Sequence, residues 1–299
     1  MVQHGDMRSA ERARAGGPSW DIVVPSRPGR LAGVTMAGFS DRANDLDDVA
    51  LVPPPAVTLV FGLGGEQLVV EDGSGRQQRD RVAAGLAPGF ARGRGLAGAF
   101  SCLQVRLSPL VAHAVLGASY ELGGAVVCLD DLWGRDAARI QERLRAAASW
   151  QDRFAIAEDA LIRRYETGRA ADPEVAHAWG QMMSSGGRLR VERLAAETGW
   201  SRKRLWSRFR SQVGLTPKRA ARLIRFDHAV HRLAAGHGAA LVAAESGYAD
   251  QSHLHRDVMA FAGMTPVAVA VTPFLAVDDD AWPGPAPSRS FDERTARHP

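Results

Sequence analysis

Leu194-Ala195-Ala196-Glu197-Thr198-Gly199-Trp200 is answered 48 positions on by Val242-Ala243-Ala244-Glu245-Ser246-Gly247-Tyr248, and Gly214-Leu215-Thr216-Pro217 is answered 49 positions on by Gly263-Met264-Thr265-Pro266. Two halves that keep their spacing to within one residue are one supersecondary unit used twice. Each copy has a short helix with an apolar-Ala-Ala-Glu run, a glycine, an aromatic, and then an N-cap that opens a second helix. Gly199 with Ser201 serves the first copy and Gly247 with Asp250 the second. Ala195 and Ala243 let the paired helices approach closely, while Glu197 and Glu245 read as solvated or locally paired and carry no catalytic meaning. This is the helix-turn-helix pattern, whose second helix enters a DNA major groove.

In the first copy the reading helix spans 201–210, with Leu205 and Phe209 at i, i+4 as its buried stripe. Arg202, Lys203, Trp206 and Ser207 are left outward. In the second it spans 250–261; Leu254, Val258 and Phe261 face in, and Gln251, Ser252, His255 and Arg256 face out. Between the copies Thr216-Pro217 opens a third helix in which Leu223, Phe226, Val230 and Leu233 recur at helical spacing, and Gly236 and Gly238 stop it. About 18 residues span roughly 27 Å. That length can hold two reading helices roughly 34 Å apart, at successive major grooves.

Residues 188–270 resemble the C-terminal DNA-binding domain of AraC/XylS-type transcription regulators. The residues that carry the resemblance are Leu194-Ala195, Gly199, Ser201, Leu205, Phe209, Gly214, Pro217, Arg225-Phe226, Ala229, Ala243, Gly247-Tyr248, Asp250-Gln251-Ser252, Leu254, Arg256, Phe261, Gly263 and Thr265-Pro266. The chain departs at His253-Leu254, where the family often has aromatics, and at Asp257-Val258-Met259, where it usually has an aromatic followed by Lys. The resemblance implies that Gln251, Ser252, His255 and Arg256 read bases in the second motif, and that Arg225 serves structure or backbone. It also implies a first half that senses a signal or dimerises. The partners to expect are duplex DNA at a promoter, a small-molecule effector, RNA polymerase and a second copy of the chain.

Charge supports the same division. Of 37 Lys+Arg and 33 Asp+Glu in 299 residues, 188–270 holds 14 basic and 6 acidic, which leaves 23 and 27 elsewhere. The excess of positive charge therefore sits in the repeated segment, as phosphate binding requires. An Arg-rich solvated surface would show the same count; the repeat, not the charge, decides between them. Arg pairs with guanine O6 and N7 and Gln with adenine, whereas an Arg on phosphate positions without specifying. Trp206 either reaches base or sugar or covers a domain interface.

The first half changes its punctuation. Residues 1–20 read as a disordered leader. Leu31 to Phe39, Val57 to Leu63, Gln67 to Glu71 and Ala99 to Leu107 are strand candidates between Gly-rich turns, which predicts a small barrel or sandwich. Ser108-Pro109 opens a helix that ends at Gly117. Arg135 to Ala148, Gln151 to Tyr165 and Pro173 to Met183 are helical by periodicity, with Leu132, Ile140, Leu144, Phe154, Ala157, Leu161 and Tyr165 on inner faces. The linker candidates are 168–173 and 184–187.

The fold expected is thus α+β: a β-rich regulatory domain over 21–170, then an all-α domain over 172–270 with motifs at about 191–212 and 239–262, and a flexible tail over 275–299. No run of 18 apolar residues and no hydrophobic leader core is present, so a cytoplasmic protein is expected. Cys102 and Cys128 make no disulfide framework or zinc spacing, and His4, His113 and His177 are too scattered for a metal cluster. Gly62-Leu63-Gly64-Gly65 lacks the Lys-Ser/Thr of a phosphate loop and reads as a turn. No cofactor, metal or catalytic residue is expected. The competing class is an enzyme with a DNA-binding appendage, such as a DNA-repair alkyl acceptor using Cys102 or Cys128; both lie in apolar settings that disfavour thiolate.

Overall fold

The computed structural model describes residues 20–41, 49–64, 68–86, 89, 91–95, 101–117, 125–271 and 281–282. Of the leader expected over 1–20, all but Trp20, which opens the first strand, lies outside the described residues, as does most of the expected tail. Ala281 and Trp282 of that tail are described, and both are buried.

Among the described residues ten strands form two antiparallel sheets. The larger has the order β1 (Trp20–Val23), β2 (Val34–Asp41), β9 (Ser101–Leu107), β4 (Val57–Gly62), β7 (Arg81–Ala84), β10 (Val126–Cys128); the smaller has β3 (Val49–Leu51), β8 (Ala91–Gly95), β5 (Leu68–Glu71), β6 (Gln77–Arg79). Of the barrel and the sandwich, the described residues show two sheets and no closed barrel. A closed barrel needs its first and last strands paired; here β1 and β10 are the two edges of one sheet.

Side-chain alternation assigns the two faces of the larger sheet. Cys102 of β9, Phe39 of β2, Val60 of β4, Val82 of β7 and Val126 of β10 pack toward Leu68 and Val70 of the smaller sheet. Leu103, Val105 and Leu107, with Met36, Leu59, Phe61 and Ala83, turn the other way. They meet a helical layer made of α1 (Pro109–Leu116), α2 (Leu129–Trp133), α3 (Arg135–Ala146) and α4 (Trp150–Thr167). Register agrees, since Leu103 opposes both Gly38 and Phe61, and Arg106 opposes Thr58. Ser108 caps α1 as expected, its Oγ accepting from the Val111 amide, and Gly117 closes it at φ +71°. One inner-face expectation fails: Tyr165 is 39% exposed. It lies in the last turn of α4, beyond the reach of the sheet that α4 covers.

Gly38 is where α4 meets the sheet. A Cβ there would fall inside the van der Waals envelope of the Trp150 ring, which stacks in turn on Phe154 at 5.9 Å. The absent side chain is the socket for the indole. At the other end of α4, Gly168 lies against the Ala114 carbonyl of α1 with no room for a Cβ.

Beyond α4 the described residues up to Val271 form α5 (Pro173–Ser184), α6 (Val191–Thr198), α7 (Arg202–Val213), α8 (Pro217–Ala234), α9 (Ala239–Glu245), α10 (Gln251–Ala262) and α11 (Pro266–Val271). Val175, Ala178, Trp179 and Met182 of α5 are buried, and Trp179 meets Phe209 of α7 at 6.4 Å. All four periodic residues expected inside α8 are buried, and Phe226 stacks on Phe261 of α10 at 4.7 Å. Such a pair adds about 0.5–1.5 kcal/mol beyond its burial.

Replacing Gly38 by Val tests the socket. The branched side chain must displace Trp150, so overpacking should cost about 1–3 kcal/mol. Thermal melting of the variant against the parent measures this, and an unchanged midpoint would show that the indole has another resting place.

Candidate nucleic-acid interface

Each turn of the repeated unit is built as the residues dictate. Gly199 and Gly247 take φ +66° and +76°, a left-handed bend that favours glycine. Ser201 Oγ then accepts from the Arg204 amide at 3.2 Å, and Asp250 Oδ1 from the His253 amide at 2.6 Å. Caps of this kind contribute about 1 kcal/mol each. The aromatics beside the glycines wedge the turns. Tyr248 is buried, meeting His253 edge-on at 5.2 Å, while Trp200 lies beneath the Arg204 guanidinium at 4.3 Å. Glu197 pairs with Arg193 and His177, and Glu245 with Arg232, so both carboxylates have local partners.

All eight residues expected to face DNA are exposed. On α7, Leu205 and Phe209 are fully buried, and Arg202, Lys203, Trp206 and Ser207 lie on the opposite face. Trp206 is 44% exposed, with Arg210 over its ring at 5.4 Å. Arg202 approaches Glu192 at 3.6 Å, but both side chains are well exposed. A surface pair of that kind contributes under about 1 kcal/mol, so phosphate can displace it at small cost. On α10, Gln251, Ser252, His255 and Arg256 line one shallow groove together with Pro266. Arg256 is held by its Nε donating to the Ser252 carbonyl one turn back, at 3.3 Å. The structure therefore gathers the second set into one surface and places the first on the outer face of its own helix.

Two charged residues of the reading helices serve structure instead. Arg208 of α7 grips Asp172 at the start of α5 with two hydrogen bonds of 2.7 and 2.8 Å, and the Asp172 amide donates to Gln212 Oε1 at 2.8 Å. The Arg208 guanidinium holds the Asp172 carboxyl below its ordinary range. Asp257, where the resembled family usually has an aromatic, is only 2% exposed and pairs with Arg222 of α8 at 2.6 Å. Arg222 also lies over the Phe261 ring at 5.6 Å. The pair thus joins the second motif to the linking helix. Arg225 packs over Tyr248 at 5.7 Å, on the structural side of the expectation made for it.

A second candidate site lies between the sheets, a cavity of about 610 Å³. Its walls are mostly apolar, with Val60, Val70, Val82 and Val126 among them, and Gln104 and Arg106 of β9 add polar groups. Met259 and Ala260 of α10 complete the lining, so the helix that carries Arg256 also touches this cavity. Its volume lies within the range of small-molecule sites. Among the described residues no group of three His, Cys, Asp or Glu could hold a metal ion, and no helix is long and apolar enough to cross a membrane. Burial pushes the Cys102 thiol up to about 12 and the Cys128 thiol upward as well. Neither is a ready thiolate near neutral pH.

The pair at Asp257 gives a direct test. Arg222→Ala leaves a buried carboxylate without its cation. Removing one partner of a fully buried pair costs about 3–5 kcal/mol. Arg222 is more than a third exposed, which lets water reach the carboxylate, so about 1–3 kcal/mol is expected. Urea unfolding of the variant checks this, and a loss under about 0.5 kcal/mol, the level of an ordinary surface change, would make the pair ornamental.

A family model described as a helix-turn-helix domain matches residues 194–270. No curated protein sequence matches the chain. Among solved structures, ToxT from Vibrio cholerae is similar at 12% identity, over 80% of this chain and 98% of its own, with a TM-score of 0.48. The C-terminal domain of the response regulator AraT from Geobacillus stearothermophilus is similar at 19% identity, over 35% of this chain and 88% of its own, with a TM-score of 0.33. The AraC-like transcriptional activator CuxR is similar at 16% identity, over 68% and 84%, with a TM-score of 0.24. With its two capped motifs and its exposed basic helix faces, the chain carries a helix-turn-helix domain at residues 194–270.

Proposed function

We propose that this regulator binds a specific duplex sequence through α7 and α10 and that a small molecule held between the two sheets controls it. One observation carries the reading: α10 exposes Gln251, Ser252, His255 and Arg256 on a common groove and, one turn further, lends Met259 and Ala260 to the cavity wall. Arg202, Lys203, Trp206 and Ser207 supply the contacts of the first motif. RNA polymerase and a second copy of the chain enter as further partners on the resemblance alone. The division into a regulatory part over 21–170 and a DNA-binding part over 172–270 belongs to the same reading.

A genome-wide map of bound DNA tests the whole: discrete sites upstream of genes are expected, and featureless coverage would refute sequence-specific regulation. On a site so found, Arg256→Ala should cost about 1–3 kcal/mol and much less on random DNA if Arg256 pairs with a guanine. A phosphate contact would instead weaken both DNAs alike and reduce the salt slope by about 1. Binding on both DNAs at several salt concentrations, with melting followed in parallel, separates the two.

The domain division makes its own prediction. Asp172 pairs with Arg208 and Gln212, so a fragment starting near residue 170 keeps that contact. It should fold and bind duplex DNA alone, each phosphate contact steepening the log-log salt slope by about 0.9. A fragment unfolded by circular dichroism would move the boundary upstream.

A further inference from the structure

Residues 184–187 read as a linker by composition, yet the chain there is tied down. The amides of Ser185, Gly186 and Gly187 donate to the carbonyls of Gln181, Met183 and Met182 at the end of α5, at 3.1, 3.1 and 2.8 Å. Gly186 and Gly187 take φ +59° and +71°, two left-handed residues in succession that reverse the chain. Gly187 is buried, and a Cβ there would stand 2.3 Å from the Ala221 carbonyl oxygen of α8. Arg188, the next residue, therefore starts from a fixed point on the linking helix.

Its side chain crosses from the first motif to the second. Nε donates to the Ser185 carbonyl at 3.0 Å, which braces the guanidinium, and Nη1 donates to the Glu245 carbonyl at 3.3 Å, 57 residues away. Glu245 is the last residue of α9, the first helix of the second motif, so a cation meets the negative end of that helix. The stem lies on Gly247, where a Cβ would come within 2.9 Å of Arg188 Cγ and 3.0 Å of Cδ. The two copies of the repeat differ at this point. At Gly199, the same glycine of the first motif, a Cβ would meet nothing within 4 Å. Both turns use glycine for its left-handed φ, and the second is in addition shaped to receive a side chain.

Helix α6, the first helix of the first motif, begins at Val191, just beyond Arg188. Arg188 thus joins the entrance of one motif directly to the turn of the other, whereas α8 joins them through a shared neighbour. The fineness of that tie matters on DNA. Each base pair advances a half-site by about 3.4 Å and turns it by about 35°, while a hydrogen bond weakens outside a window of about half an ångström. A tie of that tolerance is fine enough to choose between adjacent spacings. We infer that Arg188 is a positioning residue for DNA recognition: it sets the offset between α7 and α10, and with it the number of base pairs accepted between the two sequences they read. This rests on the reading of α7 and α10 as paired DNA-reading helices and assigns what fixes their spacing.

The test measures the affinity of the full chain for three duplexes: a mapped site, and the same site with one base pair added or removed between the two segments protected by the protein in footprints. The parent should prefer the mapped spacing by about tenfold or more. Arg188→Ala should lose about threefold to tenfold on the mapped site, the worth of one hydrogen bond, and little on the other two, so that the preference shrinks. Arg188→Lys keeps the stem and a donor and should recover part of it. Arg188→Met keeps the stem without a donor, should lose the preference as Arg188→Ala does, and decides the matter if Arg188→Ala fails to fold by melting. The salt slope should stay that of the parent. Equal losses on all three duplexes with a salt slope lower by about 1 would make Arg188 a phosphate contact and overturn the inference, as would a preference that Arg188→Ala and Arg188→Met leave untouched. A parent indifferent to spacing would sink the paired reading of α7 and α10 itself, and the inference with it.

Discussion

The two-faced pleat of β9 is the constraint on which the architecture rests. It pairs with β2 on one side and β4 on the other, at the middle of the larger sheet. In seven residues it supplies Leu103, Val105 and Leu107 to the helical layer and Gln104 and Arg106 to the cavity. A slip of one residue would bury the arginine under α1 and α4 and turn three leucine or valine side chains into the cavity. The packing of the helical layer and the polarity of the cavity wall are therefore specified by the same register, and neither can change without the other.

The helical half repeats the principle at a longer period. Alternate faces of α7 and α10 bury Leu205, Phe209, Leu254 and Val258 completely, which commits the opposite faces to solvent or DNA. Burial of one stripe aims the other. The caps at Ser201 and Asp250 and the left-handed glycines fix where each helix begins, so the direction in which Arg202 or Gln251 points follows from local chemistry as much as from packing.

That locality explains why the second half was legible in the sequence and much of the first was not. Turn glycines, caps and helical stripes lie within a dozen residues of one another and were readable residue by residue. Strands β2, β4, β5 and β9 were readable because apolar residues crowd them. Strand β6 is Gln-Gln-Arg and β8 is Ala-Arg-Gly-Arg-Gly, short segments of the smaller sheet with no apolar signature of their own; only their partners make them strands. Asp257 could not be assigned because its cation lies 35 residues away on another helix. The exposure of the eight DNA-facing candidates followed from periodicity, whereas the cavity assembles from many elements and has no local trace. One sign of it was present: a polar Cys, Gln, Arg series alternating with Leu, Val, Leu in a strand otherwise apolar.

The connection between α4 and α5 has a mechanical consequence. Gly168 is pressed on the Ala114 carbonyl, and four residues later Asp172 is clamped by Arg208 and Gln212 of α7. A joint tied down at both ends behaves as a rivet and not as a hinge. Since α1 also packs directly on α7, a displacement of the β-rich half reaches the first reading helix as a push between touching bodies. Such a coupling needs small movements, works in either direction, and would be lost if the joint were lengthened by even a few flexible residues.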